Sequence, residues 1–301
     1  MQIKQLNVAG GDKLNLTNNG ELDILFVGAG NAFAEKHFQN NFIIVKGDTH
    51  LAVDMGETWK TALRQTAGLG MGDIKNLFIT HLHPDHANGA ATWMMFNRYM
   101  VQGKNLFPRI GTVDAGKLMP DEKVKLIATE EFQRLVWDYC FRGGLEHNEE
   151  GKNTFARMNL VDYAYIVRPE WMAQKPREIN QVQFGDINLQ IFRTIHVPDS
   201  ALTFDTSFVS YGIYLPDDKV LISCDTKFDP AMFEAFPDTQ HIFQDVQFFH
   251  GGGVHASLQD LKTLDPELKA KMSLMHYDDT YASQNIDGFH GYAKEGAVYK
   301  F

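Results

Sequence analysis

Phe78-Ile-Thr-His-Leu-His-Pro-Asp-His-Ala-Asn-Gly-Ala90 places His81, His83, Asp85 and His86 within six positions of a chain that has 12 histidines in 301 residues. A core cannot bury so many imidazoles without polar partners, and a solvated loop has no use for them. Residues 76–80 read as a buried strand that delivers the cluster at its C-terminal end. Alternation then puts His81 and His83 on one side. Pro84 stops regular pairing and turns the chain, so Asp85 and His86 swing back toward the same space. Neutral imidazole and carboxylate are the ligands a zinc-like ion prefers. A hydrolytic metal keeps one position open for water, so four such groups exceed the need of one ion. Two metals are the economical reading.

The remaining ligands must come from further along, and three residues stand where a buried strand ends. His196 closes the run Leu189-Gln-Ile-Phe-Arg-Thr-Ile, Asp225 follows Val220-Leu-Ile-Ser-Cys, and His276 follows Met272-Ser-Leu-Met. Each alone is also explained as a helix cap or a satisfied core histidine. The recurrence of one position, the end of a strand, is what marks them together. A carboxylate has two oxygens, which suits Asp225 to bridging two ions. Cys224 beside it reads as buried filler, since alternation turns it to the other side.

Around these residues the chain shows no repeat, low-complexity tract or Pro/Gly/Ser linker, so 1–301 reads as one domain. Residues 22–27, 42–45, 51–53, 187–194, 207–215 and 219–224 read as strands, and 58–67 and 88–100 as helices. Residues 100–177 read as a helical, lid-like elaboration, with apolar residues at helical spacing over 121–141 and a polar loop over 143–153. Strands and helices followed by strands and helices again imply two sheets packed together with helices outside, an α+β sandwich. No run of about 18 apolar residues spans a membrane, and the N-terminus lacks the apolar core of a secretion signal. With Cys140 and Cys224 the only cysteines, no disulfide framework is expected and a reducing cytoplasm is.

The series His81-x-His83-x-Asp85-His86, His196, Asp225, His276 resembles the metallo-β-lactamase superfamily, and most closely its ribonuclease Z-like phosphodiesterase branch. Phe26-Val-Gly-Ala-Gly-Asn-Ala-Phe33, Gln39-Asn-Asn41 and Val53-Asp-Met-Gly-Glu-Thr58 look like that branch's opening motif. His255-Ala-Ser257 looks like its His-Ser/Thr motif. The resemblance covers most of the chain outside 100–177. It implies an αβ/βα sandwich with two mixed sheets face to face and the metals at one edge. It further implies one zinc on His81, His83 and His196, another on Asp85, His86 and His276, and Asp225 bridging both, with manganese or iron as alternative metals. Asp54 is expected either behind the site, orienting a histidine, or as a plain turn aspartate. Asp85 is expected to take a proton or steer the attacking water. His255 is expected to protonate the leaving group. The glycines at 251–253 suggest a tight or mobile loop, and His250 is expected to be structural or loop-exposed.

Three substrates compete. Anti-Pycsar cyclic nucleotide phosphodiesterases of phages and bacteria look similar in length and motif, which implies hydrolysis of 3′,5′-cyclic mononucleotides to 5′-monophosphates. A tRNA 3′-processing endonuclease is the alternative, and a lactonase or β-lactamase the third. The formal charge of −10, from 38 acids against 28 bases, opposes capture of a long polyanion. Glu146, Glu149 and Glu150 replace the basic arm a tRNA enzyme needs, although Lys123 with Lys125, and Arg168, Lys175 and Arg177, form modest basic groups. A small nucleotide substrate and a homodimer bringing 100–177 over the partner's site are expected. A metal-binding protein that kept the fold and lost catalysis is disfavoured, because all seven ligand-type residues stand.

Overall fold

Residues with β-branched and aromatic side chains in short runs set the frame, and the helices are folded onto it. The computed structural model describes residues 1–109, 118–149, 157–249, 251 and 253–301. Glu150, His250 and Gly252 lie outside them, and with them the acidic cluster's last member and part of the glycine loop.

The first sheet takes β1 Gln2–Gln5, β2 Asp23–Gly28, β3 Asn41–Lys46, β4 Thr49–Val53, β5 Asn76–Phe78, β6 Val124–Ile127, β7 Ala164–Val167 and β16 Ala297–Lys300. The second takes β8 Glu170–Ala173, β9 Ile179–Phe184, β10 Ile187–Arg193, β11 Tyr211–Leu215, β12 Val220–Ile222, β13 His241–Asp245, β14 Met272–Met275 and β15 Gly291–Tyr292. Their orders are β1-β16-β2-β3-β4-β5-β6-β7 and β15-β14-β13-β12-β11-β10-β9-β8. Both sheets are mixed. The run from β4 to β7 is parallel, as is that from β12 to β15, while the remaining pairs are antiparallel. Strands buried on both faces read as continuous apolar runs, which is why residues 22–27 and 42–45 carry no alternation.

The sheets meet through aromatic side chains. The Phe26 ring lies 4.9 Å from Phe243, and Phe243 lies 5.1 Å from Tyr299. Helices cover the outer faces through buried anchors such as Trp59 and Trp93. Among the described residues, no helix is long and apolar enough to cross a membrane.

Three expectations differ from what is seen. The strand read over 207–215 begins only at Tyr211. The helix after the histidine cluster spans Pro84–Met95, four residues earlier than the reading from 88. Pro84 is its first-turn proline, where a missing N–H costs nothing, and His83 is the extended cap residue. His81 and His83 therefore sit in a strand-to-helix connection beyond β5 and not on the strand itself. The 100–177 region is also only partly helical. Glu130–Val136 is a helix, but β6 and β7 end the first sheet on one side and β8 ends the second. Val124 and Leu126 fit a period of 2 while Val124 and Ile127 fit one of 3.6, and the short run could not separate them.

Candidate metal centre

The parallel part of each sheet ends at the same edge, so the loops after β4, β5, β12, β13 and β14 converge there. The seven residues expected as ligands lie together at that edge, six of them buried and His83 half-buried. They form two groups, His81, His83, His196 and Asp225, and Asp85, His86, Asp225 and His276. In each group the ligand atoms lie within 4.8 Å of one another. Asp225 belongs to both. Its Oδ2 lies 3.6 Å from His81 Nε2, 3.3 Å from His86 Nε2, 3.7 Å from His196 Nε2 and 3.5 Å from His276 Nε2. Asp85 Oδ2 approaches His86 Nε2 to 3.1 Å and His276 Nε2 to 3.3 Å.

The other ring nitrogens show which way each imidazole is held. His86 Nδ1–H donates to Asp54 Oδ2 at 2.7 Å, and His196 Nδ1–H to Val254 O at 2.8 Å. His81 Nδ1 pairs with Thr80 Oγ1 at 3.1 Å, and that hydroxyl donates in turn to Asp54 Oδ2 at 2.8 Å. His276 Nδ1 faces Asp245 Oδ1 at 3.4 Å. A carbonyl or carboxylate cannot donate, so these contacts leave the Nε2 lone pairs turned to the centre. His81 Nε2, His86 Nε2 and Asp225 Oδ1 are buried without a hydrogen-bond partner. Such orphaned atoms are costly unless a cation meets them. The residues present fit a pair of metal ions.

Charge points the same way. Four carboxylates, Asp54, Asp85, Asp225 and Asp245, are buried together, and among the described residues no Lys or Arg pairs with them. Burial drives the His81 and His196 imidazoles down, His196 to about 4. Burial also opposes charge on His276, yet Asp225, Asp245 and Asp85 raise it to about 10. Against burial, His276, His86 and His81 hold the Asp225 carboxyl well below its ordinary range. The pocket is thus built for positive charge.

Asp54 stands behind the cluster on His86, so the orienting position describes its contacts, and it occupies the turn after β4 with φ 63°. Cys224 and His276 also have positive φ, 49° and 60°. Among the described residues three of the four non-glycine positions in that region belong to the site or adjoin it, the usual place for backbone strain. Cys224 is buried, and burial pushes its thiol well up. Cys140 is only half-buried.

The opening motif has a structural purpose. Asn41 Oδ1 accepts Gly56 N–H at 2.6 Å while its amide donates to Asp85 O at 3.2 Å. A Cβ on Gly56 would come within 1.9 Å of Asp85 O, so only glycine lets the loop after β4 lie against the helix start. Gln39 and Thr58 close the same clamp through Thr58 N to Gln39 Oε1 at 3.0 Å and Gln39 N to Thr58 Oγ1 at 3.1 Å.

His255 lies beside the cluster, its ring 5.0 Å from His196 and 4.7 Å from His276, with its side chain 20% exposed. Its Nδ1–H donates to Asp245 Oδ2 at 2.9 Å. Asp245 is the residue the sequence reading missed. Its Oδ2 accepts the His255 bond and Thr226 N–H at 3.0 Å, while Oδ1 faces His276 Nδ1 at 3.4 Å. The signal was present, because Ile242-Phe-Gln-Asp245 repeats the strand-then-acid pattern of residues 220–225.

Comparison with known proteins fits this geometry. The family described as Anti-Pycsar protein Apyc1 matches residues 22–299. A protein of that name from Paenibacillus harenae is 30% identical over 275 residues, covering 90% of this chain and 93% of the relative. Another from Bacillus phage BSP38 is 28% identical over 261 residues, covering 85% and 89%. Among solved structures, the metallo-beta-lactamase fold protein YhfI from Bacillus subtilis superposes with a TM-score of 0.62 at 12% identity, covering 93% of this chain and all of that one. The two mixed sheets are those of the metallo-β-lactamase fold, and the chain belongs to the Anti-Pycsar protein Apyc1 family.

Proposed function

We propose that the chain is a metal-dependent phosphodiesterase that hydrolyses 3′,5′-cyclic mononucleotides to nucleoside 5′-monophosphates. It would act in the cytoplasm as a single domain over 1–301 and as a homodimer. The observation that carries the reading is the sharing of Asp225 by two ligand groups, one fully buried and the other buried except for His83. The anti-Pycsar relatives support the substrate class.

His81, His83, His196 and Asp225 would hold one ion, and Asp85, His86, His276 and Asp225 the other, zinc first with manganese or iron as alternatives. When bound, the two ions supply an activated water and neutralise charge on the phosphoryl oxygens. The chain's own residues handle the protons. Water oxygen bonds to phosphorus, the P–O3′ bond breaks, and the 3′ oxygen must gain a proton. His255 provides it, because Asp245 fixes the proton on Nδ1 and steadies a charged ring whose other nitrogen remains for exchange. Asp85 receives the proton that water gives up. A cyclic mononucleotide presents one phosphate, whereas a tRNA presents dozens, whose capture a formal charge of −10 opposes.

The test is kcat/KM of the metal-loaded protein on a panel of cyclic mononucleotides and on precursor tRNA, in one buffer at physiological salt. Cyclic nucleotide turnover with weak tRNA cleavage is expected. Efficient tRNA cleavage without cyclic nucleotide turnover would replace this substrate with the endonuclease's and leave the site chemistry standing.

A further inference from the structure

Next to His255 and His276 lies a cavity of 90 Å³ whose lining includes Phe33 and Phe249. It is too small to enclose a nucleotide, since sites for molecules of that size run to about 300 Å³ or more. The base and ribose must therefore lie at its opening. Both phenylalanines stand there with their rings in solvent. Phe33 is 90% exposed, more than any other large hydrophobic among the described residues, and Phe249 is 59% exposed. A single exposed aromatic needs no explanation. Two on one catalytic cavity, each with an anchored backbone, do.

The anchoring is specific. Asn31 N–H donates to Tyr277 O at 3.0 Å, tying its turn to the residue after His276, and Asn31 Oδ1 accepts Phe33 N–H at 3.0 Å. On the other side Gln247 Nε2 donates to Phe249 O at 3.1 Å. Gln247 is itself fixed beside His255 by its N–H on Ala256 O and by Leu258 N–H on its carbonyl, both 2.8 Å. A Cβ on Gly253 would meet Gln247 Oε1 at 2.5 Å, so that glycine leaves room for the brace. These contacts hold two aromatic residues at fixed places beside the reacting centre without burying their rings.

We propose that Phe33 and Phe249 are the base-binding residues of this site, stacking on the planar ring of a nucleotide whose phosphate sits at the metal ligands. The proposal rests on the phosphodiesterase reading above and adds where the base is held. Stacking is tolerant of base identity because every base has a π-face, so broad use of purine and pyrimidine cyclic nucleotides follows.

The experiment compares wild type, Phe33→Ala, Phe249→Ala, the double variant and Phe33→Trp. Each is assayed on a cyclic mononucleotide and on methyl p-nitrophenyl phosphate, which has no base. Each alanine variant is expected to raise KM on the cyclic nucleotide by about 10-fold or more, with kcat much less changed. The loss in kcat/KM should exceed that on the base-free diester by at least about tenfold, and Phe33→Trp should restore most of it. Unchanged KM in the double variant, or equal losses on both substrates, overturns the base-binding role while wild-type turnover keeps the phosphodiesterase reading. Wild type that cleaves the base-free diester and no cyclic nucleotide would instead overturn the small-nucleotide reading, and this proposal with it.

Discussion

The first sheet contributes its share of the candidate metal centre from six consecutive residues, 81–86, with Asp54 behind them. The second contributes one residue from each of several segments, His196, Asp225, Asp245, His255 and His276, spread over 80 positions. In the first case a strand end, a short connection and a helix start set the geometry locally. In the second it depends on β12, β13 and β14 running parallel in register, with Asp245 paired to Met275 and Ile222 to Phe243. One half of the site is therefore built by local backbone, and the other by long-range sheet alignment.

The sharpest way to break this comparison is to remove the residue common to both groups. Asp225→Ala should lose both ions and lower kcat/KM by about 10⁴-fold or more. Elemental analysis of protein purified without chelator reads the stoichiometry, with about two ions expected for wild type. A wild-type content of one or less that added metal cannot raise would leave Asp225 in a single-ion site.

His255→Ala separates proton delivery from metal binding within the second sheet's share. The ions should stay, while turnover of cyclic nucleotides falls by about 10²–10⁴-fold. An activated aryl diester, whose leaving group needs no proton, should suffer much less. Equal losses on the two substrates would remove His255 from the acid role.

Asp54 and Asp245 put the two halves side by side, because each orients a histidine from behind. Either alanine variant should weaken metal affinity by about 10–100-fold. Only Asp245→Ala should also change the ratio of cyclic nucleotide to aryl diester turnover, since it alone touches His255. If Asp54→Ala shifts that ratio equally, the division of labour is wrong.

The smallest effect lies away from the metals, in the register of β13. His241 is buried, its Nε2 3.2 Å from Ser273 Oγ on β14. Burial, aided by His290 and the N-terminal ammonium, lowers its pKa to about 3. The folded state then binds fewer protons than the unfolded chain between about pH 6.5 and 3, so stability is lost as pH falls through that window. His241→Gln removes the term. Chemical denaturation should show wild type losing about 2 kcal/mol more than the variant between pH 7 and 5. Parallel losses would mean His241 keeps its ordinary pKa.

Much of the site was legible because its residues stand at strand ends, where an apolar run stops at a polar group. His196, Asp225 and His276 are read that way, while residues 81–86 stand out by the density of imidazole and carboxylate in six positions. Asp245 shows the same signal and was passed over, since an aspartate after a strand is equally a turn or cap residue until its neighbours are known. Pro84 misled for a related reason, because proline breaks a strand and begins a helix with the same missing N–H.

By itself the sequence determined the candidate ligand residues, their order and the two-layer fold class, because residue chemistry and hydrophobic period are local properties. Only the tertiary structure decided that β7 and β8 form one edge of each sheet, that Asp245 lies between His255 and His276, and that Phe33 and Phe249 line one cavity. Those facts rest on contacts between segments tens to hundreds of residues apart. Nothing local in either partner specifies the other, and only strand pairing within each sheet and the packing of one sheet on the other bring them together.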